Sequence, residues 1–429
     1  MNRSRHGRCA TASAGLLALI LVTATALLPG RAVRGEGDGL LTKNGRKMFP
    51  IAFYELPADD AKLKTMAEAG VNLVRCHSKA DLDRAEAAGI MGWIVLNVQS
   101  GATDKLRALV ESVADHPALA VWEGPDEIVW NFTAASSLYK NGSHKSPYEW
   151  SRQTPEAVAY AEKRAQELMP KMREGIELVR RLDRQHRQFW INEALDSDMK
   201  YVRQYMDWID ITGCDLYPVK PDSRPIARLA AATERWKEVG RGKPVWMVLQ
   251  GFSWSELGKS YGVKTAAYPT FAESRFMAYD VIVHGAKGIL YWGSNYLKSD
   301  AFRESLYALT SELAALQPFL IARDEAGVRV ATVEADDAKK GGAVRVAVRQ
   351  AGSEWLVVLV NEDKQLHTGM EVRGLEKLDG RSLGLLYGSE TATVERGRFV
   401  TQMPPLGVKV FATGRKWETP RRTRRDYRE

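Results

Sequence analysis

The sequence predicts an α/β fold in which a (β/α)8 TIM barrel is followed by a small antiparallel β-sandwich. Between Phe49 and about Asn295, short apolar runs alternate with amphipathic segments, as in a parallel sheet wrapped by helices. Eight such units over roughly 250 residues match the size of a (β/α)8 barrel. Beyond Leu320 apolar and polar residues alternate, which is typical of antiparallel strands.

Eight apolar runs are predicted to form the barrel strands. They are FPIAFYE (49–55), VNLVRCH (71–77), GWIVLNV (92–98), ALAVWEG (118–124), QFWINEA (188–194), IDITGCDLY (209–217), PVWMVLQ (244–250) and GILYWGS (288–294). Helices are predicted between them, and those at Asp59–Ala69 and Ala80–Ala88 end at a glycine, as helices often do. A long helix is expected from Pro155 to about Gln185. The barrel is assigned residues 40–322 and the β-sandwich residues 323–414.

The amino-terminal segment 1–36 is predicted to be a secretory signal. Arg3, Arg5 and Arg8 precede an apolar run from Gly15 to Leu28, which is too short for a comfortable membrane span. We therefore expect a secreted or periplasmic protein, with an uncleaved signal anchor as the alternative and no other membrane association.

The formal net charge of +8 lies at the two ends of the chain. Segment 1–36 and the predicted basic tail, 415–429, each carry a net charge of +4, so the body between them is neutral. A neutral body argues against nucleic acid as a partner, and the tail is expected to be a solvated terminus.

The sequence predicts no cofactor and no metal site. It contains no glycine-rich phosphate loop and no Ser-His-Asp elbow, and no histidine stands at a convincing metal-ligand spacing from carboxylates.

Nearly every predicted barrel strand ends in polar or aromatic residues. In this architecture those side chains converge on one pocket, and a buried polar group without a partner costs free energy, so a pure scaffold would not need them. Carboxylates, amides and flat aromatic rings together are suited to a sugar. The strand-end residues are Glu55, Arg75, His77, Asn97, Gln99, Asp126, Glu127, Asn192, Glu193, Asp215, Tyr217, Gln250, Trp292, Ser294 and Asn295.

Glu127 is the predicted general acid for cleavage of a glycosidic bond. Such hydrolysis usually requires two carboxyl groups, one protonated and one acting as nucleophile or as base for water. Glu127 follows the fourth strand, and partial burial among Trp122 and Trp130 would favour its protonated form. The alternative is that Asp126 and Glu127 only cap the next helix.

Four motifs resemble the large clan of (β/α)8 retaining glycoside hydrolases that includes β-galactosidases and many endoglycanases. They are GPDEI after strand 4, DITGCDLYP at strand 6, PVWMVLQGF at strand 7 and HGAKGILYWGS at strand 8, and the likeness covers roughly residues 45–320. The resemblance implies that Glu127 is the acid/base and that Arg75 supports the nucleophile. It also implies that Tyr217 contacts the nucleophile and that Trp292 forms the floor of the sugar site.

The sequence departs from this clan at the seventh strand, where the clan's nucleophilic Glu is replaced by Gln250. Asp215 is our first candidate for the second catalytic carboxyl, as nucleophile or as base for water. Glu193, Glu55 and Glu273 are alternatives, as is a reactive group of the substrate itself oriented by Gln250. The predicted substrate-binding residues are Glu55, Arg75, Asp126, Glu193, Tyr217, Gln250 and Trp292.

The sequence therefore predicts an exported glycoside hydrolase that cleaves a polysaccharide or oligosaccharide. The alternative is a carbohydrate-binding barrel without catalysis, which Gln250 favours. A third possibility is a lyase or isomerase acting on a sugar acid.

Overall fold

The computed structural model describes residues 37–136, 138, 148–332 and 343–422. The predicted signal segment, 1–36, and the end of the basic tail, 423–429, lie outside the described residues. Within the described ranges, no helix has the length and apolar character needed to cross a membrane.

Eight parallel strands close into a barrel and confirm the predicted fold class. A short hairpin, β1 (Leu41–Lys43) and β2 (Arg46–Met48), precedes them. Neighbours in the barrel follow chain order, and the last strand pairs with the first through Ile289 and Ile51. Each predicted run overlaps one of the strands, although β5 begins one residue before its run. The strands are β3 (Ile51–Phe53), β4 (Leu73–Cys76), β5 (Met91–Val95), β6 (Leu119–Glu123), β7 (Gln188–Ala194), β8 (Ile211–Asp215), β9 (Val245–Gln250) and β10 (Gly288–Trp292).

The helices of the barrel lie mostly in the connections between its strands. Several begin with a side-chain cap; Ser78, for example, accepts a hydrogen bond from the backbone N–H of Asp81 at 3.2 Å. The helices are α1 (Asp60–Glu68), α2 (Lys79–Ala87), α3 (Asp104–Val113), α4 (Ile128–Phe132), α5 (Tyr148–Ser151), α6 (Pro155–Leu182), α7 (Met199–Tyr205), α8 (Arg228–Val239), α9 (Phe271–Val283), α10 (Asp300–Ala315) and α11 (Gln317–Leu320).

Large aromatic side chains fill the interior of the barrel. Tyr54, Trp93, Trp190 and Trp246 are almost completely buried, and successive ring centroids lie 5.5, 6.0 and 5.2 Å apart. The barrel is therefore a packed core that supports the carboxyl ends of its strands, and it is not a channel.

The N-terminal hairpin covers the opposite end of the barrel. Leu41 joins the interior cluster, and the indole N–H of Trp246 donates to the carbonyl of Gly39 at 2.8 Å. The amino ends of the strands are thus covered, which leaves the carboxyl ends to form the site.

The C-terminal region contains two antiparallel sheets, as predicted. One has the strand order β11–β14–β17 and the other β12–β13–β18–β15–β16. Alternate residues of β17 are buried, which is the period expected of a strand with one solvent-exposed face. The strands are β11 (Arg329–Thr332), β12 (Val344–Ala351), β13 (Glu354–Asn361), β14 (His367–Arg373), β15 (Ser382–Leu385), β16 (Thr391–Thr393), β17 (Arg398–Met403) and β18 (Val408–Ala412).

A buried charge cluster joins the barrel to the sandwich and to the C-terminal segment. Glu312 of α10 accepts hydrogen bonds from Arg275 of α9 at 2.9 Å and from Arg422 at 2.8 Å. Arg275 also donates to the carbonyl of Val408 in β18, and the Arg422 guanidinium lies 4.6 Å from the ring centre of Tyr387. The first part of the predicted basic tail is therefore docked against the fold and is not solvated at Arg422.

Candidate active site

A pocket of about 810 Å³ opens at the carboxyl ends of the barrel strands. Five of the predicted site residues line it together: Asp126, Glu127, Asp215, Tyr217 and Trp292. Asn192 and Trp254 lie in the same wall. Several of the strand-end residues therefore line one pocket, although not every strand-end residue faces it.

Glu127 is held in an unusual backbone conformation directly after β6. Its φ of 50° and ψ of 39° lie in the left-handed region, which costs a non-glycine residue about 1–3 kcal/mol and is found disproportionately at functional sites. Its backbone N–H donates to the carbonyl of Asn192 at 2.9 Å. Its side chain makes no capping hydrogen bond to α4, so the interpretation of Glu127 as a simple helix cap is not supported.

Glu193 stabilises the turn that carries Glu127. The Glu193 carboxylate is fully buried and accepts hydrogen bonds from the backbone N–H of Val129 at 3.0 Å and of Trp130 at 3.4 Å. The hydroxyl of Tyr205 donates to it at 3.0 Å, and burial raises its pKa to about 7. Glu193 therefore lies behind the pocket and satisfies the free N–H groups at the start of α4.

Asn192 bridges two carboxylates of the pocket. Its amide nitrogen donates to Asp215 at 3.2 Å and to Asp126 at 3.1 Å. The hydroxyl of Tyr217 adds a third hydrogen bond, to Asp215 at 3.3 Å. The sequence analysis noted Asn192 among the strand ends without giving it a role; the structure shows that it fixes the spacing of Asp126 and Asp215.

Glu127 and Asp215 line the same pocket, and each carboxyl group affects the pKa of the other. Two carboxyl groups that share a site resist ionising together. Burial and the nearby charge of Asp126 raise the pKa of Glu127 to about 7. Burial and the charge of Glu127 raise the pKa of Asp215 well above its ordinary value. The two groups therefore titrate as a pair that keeps a proton at pH values at which isolated carboxyl groups are ionised.

Glu123 is a fourth carboxylate of the site, and the sequence analysis did not identify it. It is fully buried at the end of β6 and accepts hydrogen bonds from Arg75 at 2.9 Å and from the indole of Trp93 at 2.8 Å. Burial raises its pKa to about 8. Arg75 also lies 3.9 Å from Asp126, so its positive charge stabilises the ionised forms of both Glu123 and Asp126.

Aromatic rings form one wall of the pocket. Tyr217 and Trp292 stack with ring centroids 5.4 Å apart and an interplanar angle of 25°. Phe252 packs edge-on against both, and Trp254 lies 6.4 Å from Tyr217. Flat apolar faces beside hydrogen-bonding carboxylates are the surface that a sugar ring requires.

Gln250 does not line the pocket. Its amide oxygen accepts from the N–H of Val219 at 2.9 Å, and its amide nitrogen donates to the carbonyls of Val219 at 2.9 Å and Phe252 at 3.0 Å. The side chain is fully buried, and both of its donor hydrogens are engaged. Gln250 thus holds together the loops that follow β8 and β9.

Glu55 and Glu273 also bond to nearby groups instead of facing the pocket. Glu55 accepts from the backbone N–H groups of Gly293 at 2.8 Å and Ser294 at 3.0 Å, and so fixes the turn after Trp292. Glu273 forms a capping box at the start of α9. Of the candidate carboxylates, Asp126 and Asp215 are therefore the ones that line the pocket together with Glu127.

Among the described residues, two groups of histidine and carboxylate side chains are close enough to share a cation, and neither contributes to this pocket. Hydrolysis by carboxyl groups requires no metal.

No protein-family model matches the chain, and no curated protein matches it in sequence. Solved structures match its fold. A glycoside hydrolase has 11% sequence identity and a TM-score of 0.51, covering 88% of this chain and 96% of its own. A catalytic mutant of a GH42 β-galactosidase from G. stearothermophilus has 10% identity and a TM-score of 0.50, covering 88% and 99%. The β-galactosidase from Bacillus circulans sp. alkalophilus has 10% identity and a TM-score of 0.50, covering 85% and 99%.

These likenesses confirm the fold that the four sequence motifs implied: the chain has the architecture of TIM-barrel glycoside hydrolases. At 10–11% identity they show the fold alone. What the site does must be argued from its own residues.

Proposed function

We propose that this protein hydrolyses glycosidic bonds of a polysaccharide or oligosaccharide, with Glu127 and Asp215 as its catalytic pair. The observation that carries the proposal is that Glu127 and Asp215 line one pocket beside the stacked rings of Tyr217 and Trp292. Glycoside hydrolysis requires one protonated and one ionised carboxyl group, and a pair of carboxyl groups that holds a single proton meets that requirement.

In this mechanism Glu127 protonates the leaving-group oxygen as its bond to the anomeric carbon breaks. Asp215, ionised, either attacks that carbon or removes a proton from the water that attacks it. In the first case a glycosyl–Asp215 ester forms, and water then attacks the anomeric carbon, frees Asp215 and gives its proton to Glu127. In the second case the water supplies the hydroxyl of the new reducing end, and its proton passes to Asp215. Proton exchange with solvent then restores the pair, so atoms and charge balance over the cycle.

Substrate binding must place the glycosidic oxygen against Glu127 and the scissile bond between the carboxyl groups of Glu127 and Asp215. The separation then adopted sets the stereochemistry: about 5–5.5 Å favours retention and about 6.5–9.5 Å inversion. Asn192 limits movement on the Asp215 side. The Asp126 side chain is 33% exposed and is placed to accept a hydrogen bond from a substrate hydroxyl.

The test is a screen of the purified protein against glycans and aryl glycosides, with product anomers followed by NMR. For a substrate that the wild type cleaves, Glu127→Gln and Asp215→Asn should each lower kcat by about 10²–10⁴-fold, the usual contribution of acid–base catalysis. Binding of the substrate should be largely kept. Glu111→Gln, an exposed position on α3, is the control and should behave as wild type.

A carbohydrate-binding barrel without catalysis is the second candidate function. Gln250 favours it, because the clan's nucleophile is missing from that position. Binding of a glycan with no cleavage of any substrate in the screen would support this candidate. Equal cleavage by wild type and Glu127→Gln would contradict the proposed mechanism.

We also propose that the protein is exported, since basic residues precede an apolar run in the first 28 residues. The test is fractionation of cells that express the full chain, followed by N-terminal sequencing of the mature protein. Export would place the enzyme outside the cytoplasm with its substrate, whereas a wholly cytoplasmic protein with its first residues intact would contradict it.

A further inference from the structure

Three ligand-type side chains meet between the barrel helices and the β-sandwich. Asp280 lies on α9, His284 follows that helix, and Glu362 follows β13. Their donor atoms all lie within 4.8 Å of one another. His284 precedes β10, so the cluster lies toward the amino ends of the barrel strands, whereas the candidate active site lies at their carboxyl ends.

The distances within this cluster suit a single cation. His284 Nε2 lies 2.8 Å from Glu362 Oε1 and 4.0 Å from Asp280 Oδ1. Nitrogen and oxygen ligands lie about 2.0–2.2 Å from zinc, so two ligands of one ion are separated by roughly 3–4 Å. Small side-chain movements would therefore bring all three donors onto one ion.

Asp280 supplies the independent observation. Its side chain is completely buried, and neither carboxylate oxygen has a hydrogen-bond partner among the described residues. The backbone N–H of Ala230 stabilises its charge but does not meet hydrogen-bonding geometry, and His284 Nε2 lies 4.0 Å from its Oδ1. A buried carboxylate without a hydrogen-bond partner calls for an explanation, and a bound cation is one.

His284 is oriented as metal-binding histidines usually are. Its Nδ1 lies 2.9 Å from a carboxylate oxygen of Glu234 on α8, which leaves Nε2 directed at Glu362 and Asp280. A ligand histidine commonly donates its other ring N–H to a carboxylate, which fixes the tautomer and the ring plane. The Glu362 carboxylate is held in turn by Arg345 Nε at 2.9 Å.

We propose that Asp280, His284 and Glu362 bind one divalent transition-metal ion of the zinc class and thereby join the barrel to the β-sandwich. One imidazole and two carboxylates favour Zn²⁺ or Co²⁺, whereas Mg²⁺ and Ca²⁺ prefer all-oxygen sites.

A second cluster of similar composition provides the matched control. In the group Asp83, Glu86 and His116, the backbone N–H of Ala118 donates to His116 Nδ1 at 3.1 Å. The neutral ring must then carry its proton on Nε2, which lies 2.9 Å from Asp83. That nitrogen has no lone pair to offer a metal, so this cluster should not bind one.

The experiment uses the full chain stripped of metal with a chelator and then titrated with Co²⁺ and with Zn²⁺. Visible absorption reports bound Co²⁺, and elemental analysis after gel filtration gives the Zn²⁺ stoichiometry. We expect one ion per chain and a higher Tm with metal. Asp280→Asn should weaken binding at least tenfold, and Glu234→Gln about 10–100-fold as an outer-shell change. Asp83→Asn should leave binding unchanged.

Failure of the wild type to bind either ion stoichiometrically would overturn the proposal, as would unchanged binding by Asp280→Asn. If Asp280→Asn does not fold, Glu362→Gln takes its place, because Glu362 lies at a strand end and is only half-buried. None of these readouts uses glycan cleavage. A negative result for metal binding would therefore say nothing about the proposed hydrolase activity, and the reverse also holds.

Discussion

Glu193 accepts a hydrogen bond of 3.0 Å from the backbone N–H of Val129, two residues beyond Glu127. Glu193→Gln should therefore lower kcat by about tenfold and leave KM nearly unchanged, because the turn that aims Glu127 loses an acceptor while the pocket wall is kept. Steady-state kinetics on a cleaved substrate measure this split. Ser197→Ala, which removes only one donor to Glu193, is the milder comparison. A raised KM with unchanged kcat would show that Glu193 contacts substrate.

The pH profile should report the titration of the Glu127–Asp215 pair. Because one carboxyl group must be protonated and the other ionised, kcat/KM should fall at high pH, where both carboxyl groups are ionised. It should also fall at low pH, where both carboxyls are protonated. Asp126→Asn removes a negative charge that raises the pKa of Glu127, so the high-pH fall of kcat/KM in this variant should move to lower pH. An unchanged pH profile would show that Asp126 does not influence the pKa values of the pair.

Gln250→Glu should not create a nucleophile. The carbonyls of Val219 and Phe252 would lose their amide donor, and each unsatisfied buried group costs about 1–3 kcal/mol. We expect a lower free energy of unfolding in urea and no gain in hydrolysis. Gln166→Glu, at an exposed position of α6, should leave stability nearly unchanged. A more active Gln250→Glu would mean that the loops after β8 and β9 rearrange to expose the new carboxylate.

Trp292→Ala should weaken sugar binding. Loss of the ring that stacks on Tyr217 removes apolar contact worth about 1.5 kcal/mol, or about tenfold in Kd. Calorimetry in a Glu127→Gln background would measure binding without turnover. Trp292→Phe keeps a flat ring and should lose less; equal losses in both variants would argue that the indole shape itself, and not ring stacking, determines binding.

The barrel could be predicted because parallel strands covered on both faces appear in sequence as continuous apolar runs. Successive side chains of a strand point to opposite faces, and this alternation determines which strand-end side chain faces the pocket. In β7, Trp190 points into the barrel, so Asn192 faces the pocket and Glu193 does not. In β6 the same period carries Val121 and then Glu123 inward. Glu123 lies inside the predicted run ALAVWEG, whereas the acids that the sequence analysis took for this strand, Asp126 and Glu127, follow that run.

Loop conformation could not be predicted in the same way. Gln250 shares the inward phase of Trp246 in β9, but the backbone at Val219 and Phe252 occupies its amide. The left-handed backbone of Glu127 is likewise imposed by contacts distant in sequence, with Asn192 and Glu193. Apart from the contact of Gln250 with Phe252, these pairings join residues more than 30 positions apart, and short-range patterns do not encode them.

The apolar core does not divide where the chain passes from barrel to sandwich near residue 322. Leu356, Val358 and Val410 belong to the same cluster as Ile282 and Leu309 of the barrel helices. An excised barrel would present this surface to water, together with a Glu312 deprived of Arg422. We therefore expect a protein trimmed to its barrel to aggregate, and useful truncations must retain the chain through residue 422.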